Sequence, residues 1–464
     1  MKPVDRTRPR SARSLAVVAL TGTGLLIVLA LGLFVNNFWY AIVGIVGLAI
    51  AVAAAWPALT KTGVHRAWSA LAMVAGMGLL VVAVIGASDS AWLSAIRLAA
   101  FGILFTLTTT AARAAMIHSN KADVAAQFHK VTPPARPVLI CNPWSGDGKV
   151  VKFGLPDLAS SMGVETILLD RGLDLEQLAR DAVARGADCL GMAGGDGSQA
   201  LVASIAVEHN LPFVCIPAGT RNHFALDLGL HRDDPGLDLV AFRDGIERTI
   251  DFASVNGRLF VNNASLGVYA TVVQQAGYRQ AKAETTTRLL PDLLGKTDEP
   301  FDLQFTSPEG LEVIGPLIVQ VSNNPYVTRA STDLAQRRRL DTGMLGVVAA
   351  EASGGADAAH VVAGFLTGHP GEGAKLLSFT CKGFQVRSQS GTAYVGIDGE
   401  ALRLPTPLDF QIHPRGLKLL VPKDNRGRAV RRRARDTNLR DLLSLAVHPQ
   451  HPMGNTTPPL LEGA

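Results

Sequence analysis

Hydrophobic residues are distributed unevenly along the 464-residue chain, and four long apolar runs lie within its first quarter. The runs cover about Leu15–Val35, Phe38–Trp56, Ala67–Ala87 and Trp92–Met116. Each is close to the roughly 20 residues that an α-helix needs to cross a bilayer. We therefore predict four transmembrane helices within residues 15–116. A cleaved signal peptide is the alternative for the first run, but that run is long, three more follow it, and no A-x-A site separates it from the second run.

Basic residues flank alternate ends of these runs, and the turns at 36–37 and 88–90 contain none. The basic residues are Lys2, Arg6, Arg8, Arg10 and Arg13 before the first run, Lys61 and Arg66 between the second and third, and Arg113, Lys121 and Lys130 after the fourth. The positive-inside rule then predicts a multi-pass protein of the inner cell membrane, in which the basic N-terminus (residues 1–14) and the region after the fourth run are cytoplasmic. Arg97 lies inside the fourth run, and we expect its long side chain to reach the interface.

A linker of residues 117–135 leads into a region where short apolar runs alternate with helical patterns. Buried strands are predicted at PVLICNP, VETILLD, ADCLGMAG and LPFVCIPAG, and helices at LDLEQLARDAVARG and SQALVASIAVEH. This alternation is typical of a doubly wound parallel sheet, so we predict an α/β domain over residues 136–255.

Beyond about Asp251 the runs are rich in β-forming and turn residues. We predict a mostly antiparallel, β-rich domain over residues 256–422, with one helix near 353–368. The tail, residues 423–464, begins with an arginine cluster and becomes rich in proline and polar residues, so we expect it to be disordered.

Cysteine usage argues against a metal site or a disulfide framework. Cys141, Cys189, Cys215 and Cys381 all lie in apolar strand candidates, without C-x-x-C spacing. Buried, reduced thiols of a cytosolic domain explain them better. The protease and hydrolase motifs H-E-x-x-H and G-x-S-x-G are absent from the sequence.

Polar, glycine-bearing segments follow three of the predicted strands. They are NPWSGDG (142–148), GGDGS (194–198) and PAGTRNHFALDLG (217–229). The carboxyl ends of parallel strands meet at the edge where such sheets bind ligands, and backbone N–H groups at a helix start bind phosphate where glycine leaves room for it. A tight turn is the alternative for any one segment, but the repetition favours a phosphate site. None of the segments is a Rossmann or Walker A motif.

The ordered set NPxSG, GGDGS, PAGTxNxFA, NNASLG and DGE resembles the diacylglycerol kinase catalytic family, which includes sphingosine kinases and bacterial lipid kinases. The resemblance covers roughly residues 136–422. It implies a two-domain lipid-kinase fold in which ATP and Mg²⁺ bind in the cleft between the α/β and β-rich domains. It also implies phosphorylation of a membrane lipid hydroxyl, most directly diacylglycerol giving phosphatidic acid.

The same resemblance assigns roles to individual residues. Those at nucleotide-binding positions are Asn142, Ser145, Gly146, Gly194, Gly195, Gly197, Ser198, Thr220 and Asn222. Asp196 matches the family's motif aspartate, and Asp398 of IDGE matches the general base, with Glu400 beside it. A hydroxyl that attacks a phosphoryl group needs a carboxylate to accept its proton. A bare hairpin turn is the alternative for IDGE taken alone.

Two segments depart from the family pattern. Some bacterial relatives bind a structural Mg²⁺ at an Asp-Asp-Gly turn, whereas this chain has Asp341-Thr342-Gly343. The resemblance implies a metal site at Asp341 that is either empty or rebuilt. In the GTRNHFA segment, Arg221 either pairs with phosphate or covers the surface, and we expect His223 to make local hydrogen bonds.

Two other function classes stay open at this point: a kinase of a soluble substrate related to NAD kinase, and a membrane lipid sensor with an inactive kinase fold. The four apolar runs and NPxSG argue against the first, and the retained Asp196, Asp398 and Glu400 argue against the second. The basic tail predicts contact with anionic lipids rather than nucleic acid. The sequence does not identify the lipid or the oligomeric state.

Overall fold

The structure is a computed structural model, which describes residues 10–32, 38–60, 63–86, 91–267, 302–326, 337, 339–351, 375–435 and 439–447. The chain forms two compact units. One comprises residues 1–126 and 427–453, and the other comprises residues 127–426 and 454–464. The first is helical and the second contains a mixed α/β part and an antiparallel sheet, which confirms the predicted order of structural classes.

The N-terminal region of the first unit is helical. Its helices are α1 (Arg10–Gly32), α2 (Phe38–Thr60), α3 (Gly63–Gly86) and α4 (Ala91–Ala125). Helix α1 packs along α4, and α2 packs along α3. Small residues allow the second pair to approach closely, since a Cβ on Gly47 would lie 2.7 Å from the carbonyl oxygen of Gly76.

Three of these helices are long and apolar enough to cross a membrane, over Ser11–Val28, Arg66–Ala83 and Ala99–Lys121. Helix α2 contributes a shorter apolar stretch, Ile42–Ala55. Only 17–28% of the three spans is buried within the protein, so most of their apolar side chains face outward. An apolar surface of this kind is typical of helices that face lipid.

The second unit begins with the parallel sheet that the sequence predicts. Its strands up to residue 255 are β1 (Phe128–His129), β2 (Pro137–Cys141), β3 (Glu165–Leu168), β4 (Cys189–Gly194), β5 (Phe213–Pro217) and β6 (Gly245–Val255). Strands β3, β2, β4 and β5 are adjacent in that order and parallel. The accompanying helices are α5 (Lys149–Lys152), α6 (Leu155–Ser161), α7 (Leu175–Ala184), α8 (Asp196–Glu208), α9 (His223–Leu228) and α10 (Ala241–Asp244). Strands β2, β4 and β5 are buried along their whole length, as their continuous apolar runs predict.

The remaining strands form the β-rich part. They are β7 (Arg258–Phe260), β8 (Asn263–Gly267), β9 (Leu303–Thr306), β10 (Glu312–Ile314), β11 (Ile318–Asn323), β12 (Leu345–Glu351), β13 (Lys375–Cys381), β14 (Gly383–Ser388), β15 (Thr392–Ile397), β16 (Glu400–Pro405) and β17 (Leu408–Pro422). Strands β13, β12, β11, β8, β15 and β16 make an antiparallel sheet in that order. The helix predicted near 353–368 lies outside the described residues.

Strand β17 joins the β-rich part to the parallel sheet. It pairs antiparallel with β14 and β6, and its register with β5 is parallel at Leu419 and Phe213. Strands β9, β14 and β17 continue the sheet that contains the parallel strands, and aromatic side chains pack between this sheet and the antiparallel one. The ring of Phe384 on β14 lies 5.0 Å from Phe305 on β9 and 5.6 Å from Phe379 on β13. The sheet edge that carries the glycine loops and the β15–β16 hairpin therefore belong to one packed body.

The tail contains two helices, α11 (Asn425–Arg435) and α12 (Leu439–Val447). The expectation of disorder from residue 423 is wrong for these residues. Leu442, Leu445 and Ala446 fall on one face of α12 and are buried in a cluster with alanines of α1 and α4. Arg13 also donates a hydrogen bond to the carbonyl of Ala446, 3.1 Å away. This apolar stripe gives the tail enough buried surface to fold, despite its polar and proline-rich surroundings.

Candidate functional site

Glycines bring the loops after β2, β4 and β5 into direct contact. A Cβ on Gly219 would lie 2.5 Å from the Cα of Gly195, and a Cβ on Gly146 would collide with the carbonyl oxygen of Ala218. Gly146 also has a φ of +55°, which disfavours other residues. The predicted convergence of three loops at the carboxyl edge of the sheet is therefore what the structure contains.

Gly195 differs from these packed glycines because the protein leaves space beside it. A Cβ there would meet only Ser145 Oγ at 3.6 Å and the Cα of Gly219 at 3.9 Å, which are ordinary contacts. Its φ of −85° and ψ of 175° are open to any residue. Neither packing nor backbone conformation requires glycine at 195. The space it leaves lies at the N-terminus of α8, whose first N–H groups have no side-chain cap.

Three polar residues that the sequence singles out, Asn142 and Asn222 as nucleotide-binding residues and Asp196 as the motif aspartate, make hydrogen bonds to backbone groups of the loops. The Asn222 side chain is buried, accepts from the Gly219 N–H at 2.9 Å and donates to the Gly219 carbonyl at 2.6 Å. Asn142 accepts from the Trp144 N–H at 3.1 Å within the first loop. Asp196 accepts from the backbone N–H groups of His223 and Phe224, each at 3.0 Å, and so caps α9. We call the loops after β2, β4 and β5, which meet around Gly195, the cradle. These three side chains hold it in shape by bonding to backbone groups.

Other predicted residues lie around Gly195 and the start of α8. Ser145 faces Gly195 as described, Thr220 is exposed, and Ser198 is part of the first turn of α8. A Cβ on Gly194 would lie 2.6 Å from Met192 Cε, the end of a buried side chain that would have to move. The candidate phosphate contacts are therefore the Ser145 hydroxyl and the backbone N–H groups at the start of α8.

The IDGE segment forms the hairpin turn between β15 and β16 and also reaches the cradle. Asp398 and Gly399 have φ values of 46° and 89°, so the Asp-Gly pair has the left-handed conformation of tight hairpins. Glu400 extends towards α8, because a Cβ on Gly197 would lie 2.6 Å from its Oε1. IDGE is therefore a hairpin turn, as the alternative predicts, and the same turn carries the carboxylates of Asp398 and Glu400.

The carboxylate of Asp398 is held by a row of backbone N–H groups. It accepts from Val261 at 2.8 Å, from Asn262 at 2.8 Å and from Asn263 at 3.1 Å. Burial nevertheless raises the pKa of Asp398 to about 7, and the carboxylate of Asp196 acts in the same direction against the three donors. A carboxylate with a pKa near neutral is suited to accept a proton at physiological pH.

A buried ion pair behind these N–H groups had no signal in the sequence. Arg337 Nε donates to Asp227 Oδ2 at 2.6 Å, and both side chains are at most 1% exposed. The same guanidinium donates to the carbonyls of Val261, at 2.5 Å, and Asn323, at 2.7 Å. Its remaining nitrogen donates to Asn262 Oδ1 at 2.9 Å. The pair joins α9 to the segment that binds Asp398.

The residues around Asp341 do not fit the metal site that the resemblance implies. Both oxygens of its carboxylate accept from the Arg339 guanidinium, at 2.9 and 3.0 Å, and Oδ2 also accepts from Gln127. Thr342, which replaces the second aspartate of the family turn, donates its hydroxyl to Asn324 Oδ1 at 2.6 Å. Within the described ranges no cluster of three or more metal-ligating residues occurs. The guanidinium of Arg339 therefore occupies the position that a metal ion would need at this turn.

The family model described as "Diacylglycerol kinase catalytic domain" matches residues 136–255. Against a diacylglycerol kinase of Bacillus subtilis, the chain is 38% identical over 96 residues, which are 20% of this chain and 32% of that protein. Against a diacylglycerol kinase of Mycobacterium tuberculosis, it is 32% identical over 120 residues, or 25% of this chain and 39% of that protein. The chain thus matches 32% and 39% of the lengths of these two relatives.

A longer match is to a Pseudomonas aeruginosa protein named "Probable lipid kinase YegS-like", which is 25% identical over 253 residues, or 54% of this chain and 82% of that protein. A solved diacylglycerol kinase structure from Bacillus anthracis covers 63% of this chain and 99% of its own, with a TM-score of 0.44 and 16% identity. The family match covers the segment that contains the motifs NPxSG, GGDGS and PAGTxNxFA, and it confirms for residues 136–255 the resemblance that these motifs indicate.

Proposed function

We propose that this protein is an ATP-dependent lipid kinase that transfers the γ-phosphoryl group of Mg·ATP to a hydroxyl group of a membrane lipid. The observation that carries the proposal is the room for a side chain at Gly195, at the uncapped start of α8, two residues before the glycine that Glu400 of the IDGE hairpin approaches. An anion-binding helix start and a proton-accepting carboxylate are the two parts that phosphoryl transfer to a hydroxyl needs. The membrane helices supply a reason for a lipid acceptor.

The nucleotide phosphates are proposed to bind against the backbone at Gly195 and the first N–H groups of α8, with the Ser145 hydroxyl beside them. Mg²⁺ arrives with ATP as part of the substrate and neutralises charge on the phosphates. Asn142, Asn222 and Asp196 contribute by fixing the loops that form the cradle. Their loss is expected to weaken nucleotide binding by disordering these loops.

In the chemical step, the lipid hydroxyl oxygen forms a bond to the γ-phosphorus, and the bond from that phosphorus to the β–γ bridging oxygen breaks. ADP leaves with the electron pair of that bond. The hydroxyl proton passes to the carboxylate of Asp398, whose pKa of about 7 allows it to be ionised beforehand. Glu400, close to Gly197 at the start of α8, is proposed to be the second carboxylate of the reacting site.

Diacylglycerol is the proposed acceptor, with phosphatidic acid as product, since two curated relatives are named as diacylglycerol kinases. The proposed location is the inner membrane, with four spans and a cytoplasmic catalytic unit, because basic residues cluster on one side of the apolar helices. Labelling of single cysteines introduced at 36–37 and 88–90 by an impermeant reagent on intact cells tests this orientation.

The decisive assay combines the purified full-length protein in lipid nanodiscs with labelled ATP and total membrane lipid, followed by mass identification of the labelled product. A labelled lipid that is absent with Asp398→Asn is the expected result. Label transferred only to a soluble metabolite would replace the proposal with a soluble-substrate kinase. ATP binding without any transfer, to any lipid class tested, would indicate an inactive lipid sensor.

A further inference from the structure

The peptide unit that joins Val261 to Asn262 lies between two charged side chains. On one side its carbonyl accepts a hydrogen bond from Arg337 Nη1 at 2.5 Å. On the other side its N–H donates to Asp398 Oδ1 at 2.8 Å. The next peptide unit repeats the arrangement more loosely, with Arg337 Nη1 at 3.5 Å from the Asn262 carbonyl and the Asn263 N–H at 3.1 Å from Asp398.

Hydrogen bonds in such a chain polarise one another, because a cation at the carbonyl makes the N–H of the same peptide a stronger donor. We propose that Arg337 is a positioning residue for Asp398, whose guanidinium polarises the 261–263 peptides and so keeps that carboxylate ionised and aligned for proton transfer. This inference rests on the proposed function of Asp398. It assigns to a residue far along the chain an effect transmitted through two peptide units.

The guanidinium is fixed well enough to act in this way. Its other contacts are the ion pair with Asp227, the bond to the Asn323 carbonyl and the bond to Asn262 Oδ1. The Tyr326 ring lies 5.8 Å from its carbon centre. Since Arg337 is only 1% exposed, solvent does not screen its field from the nearby peptides.

The charged and titratable groups around Asp398 set the direction of each expected effect. In the described residues, Asp196 on α8, Tyr326 and Arg337 interact electrostatically with Asp398, and Glu400 lies two residues further along the same hairpin. Asp227 is held on the far side of the guanidinium. Removing the positive charge of Arg337 destabilises ionised Asp398, whereas removing the negative charge of Asp227 stabilises it.

Because removal of the Arg337 charge and removal of the Asp227 charge have opposite effects on ionised Asp398, the two variants distinguish polarisation by Arg337 from a purely structural role of the ion pair. Arg337→Gln and Asp227→Asn both break the buried pair, so a structural role predicts similar losses in both variants. Polarisation predicts that the acidic limb of the kcat profile moves to higher pH in Arg337→Gln, by about one to two pH units. In Asp227→Asn the same limb moves to lower pH by a smaller amount.

The experiment measures kcat and KM for lipid across pH in the full-length protein, for both single variants, the double variant Arg337→Gln/Asp227→Asn and Arg337→Lys. The double variant removes both buried charges and keeps hydrogen-bonding groups, which guards against failure to fold. Arg337→Lys keeps the positive charge but lacks the planar guanidinium. Its acidic limb of the kcat profile is expected to lie between those of the parent and of Arg337→Gln. Arg339→Gln is the matched control, because it breaks another arginine–aspartate pair, the one with Asp341.

Shifts of the same sign in both single variants, or no shift in Arg337→Gln, would overturn the proposal. The carboxyl pKa is also read without turnover, by NMR of protein carrying ¹³C-carboxyl aspartate, with the Asp398 signal assigned from the Asp398→Asn spectrum. If the parent protein phosphorylates no lipid, the proposed function fails, and this titration still decides whether Arg337 controls Asp398.

Discussion

Glu400 occupies the space that a side chain on Gly197 would need: a Cβ added to that glycine would lie 2.6 Å from Glu400 Oε1. Gly197→Ala is therefore expected to push the carboxylate away from α8 and to lower kcat by about tenfold or more, equivalent to about 1.4 kcal/mol. Alanine favours a helix over glycine, so thermal stability is expected to stay the same or to rise. Measurement of kcat beside a thermal melt checks both parts.

The control for this variant is Gly383→Ala, where the added Cβ would lie 3.6 Å from the nearest atom, the Phe410 carbonyl oxygen. Its kcat is expected to match the parent. Parental turnover in Gly197→Ala would mean that the position of Glu400 has no bearing on the reaction.

Gly195→Ala isolates nucleotide binding from folding. The added Cβ makes only ordinary contacts with Ser145 and Gly219, so the free energy of unfolding is expected to change by less than about 1 kcal/mol. Affinity for Mg·ATP is expected to fall by about tenfold or more, because the methyl group enters the space proposed for phosphate. Calorimetric titration with ATP gives the affinity, and Gly195→Val is expected to abolish binding. Equal affinities in parent and variants would place the nucleotide elsewhere.

Asp398→Asn tests the proposed base. The amide retains size and some hydrogen bonding but accepts no proton, so turnover is expected to fall by roughly 10²- to 10⁴-fold with little change in ATP affinity. In the parent protein, kcat is expected to rise with pH and to level off above about pH 7, since only the ionised carboxylate accepts the proton. A rate independent of pH between 5 and 8, at about parental magnitude in the variant, would exclude Asp398 as the base.

Magnesium is expected to matter for turnover but not for the fold. Because Arg339 already neutralises Asp341, removal of Mg²⁺ by EDTA in the absence of nucleotide is expected to leave the melting temperature unchanged. The variant Arg339→Gln/Thr342→Asp exchanges the guanidinium for a second carboxylate and is expected to gain Mg²⁺-dependent stability. A lower melting temperature of the parent protein in EDTA would show that a metal ion is bound at the Asp341-Thr342-Gly343 turn.

The arginine cluster of α11 is expected to bring the catalytic unit to anionic headgroups. The variant replaces Arg426, Arg428, Arg431, Arg432, Arg433 and Arg435 with glutamine. Each arginine near such a surface contributes about 1 kcal/mol, so the rate of lipid phosphorylation is expected to fall in anionic vesicles and not in neutral ones. Arg180→Gln/Arg185→Gln on α7 is the control. Equal rates for variant and parent in both kinds of vesicle would remove any catalytic role for the cluster.

Local sequence patterns predicted those parts of the site that depend on neighbours in the chain. The continuous apolar runs specify buried parallel strands, and the carboxyl ends of such strands meet at one edge, so the sequence pattern predicts the convergence near Gly195. The pattern does not reveal which atoms face inward. The motifs therefore assign Asn222 to nucleotide contact and Asp196 to the motif aspartate, whereas the Asn222 side chain bonds the backbone of its own loop and Asp196 bonds the backbone N–H groups at the start of α9.

Features that depend on distant residues were missed. Asp227 and Arg337 are 110 positions apart, and neither has a local pattern that distinguishes it from a surface charge. The helix Leu439–Val447 is short, and its apolar stripe gains its stability from burial against α1 and α4. The Arg339–Asp341 pair is local, but the family motif drew attention to the lost aspartate rather than to the arginine two residues before it.

Strand β17 has a consequence for how far the second unit can be divided. It is the neighbour that pairs with the outer edge of β5, yet it lies almost 200 residues further along the chain. A fragment ending near residue 255 would leave that edge unpaired and open to association with other chains. The segment matched by the family model is therefore not a unit that folds by itself, and fragments intended to keep the edge of β5 paired have to extend through Pro422.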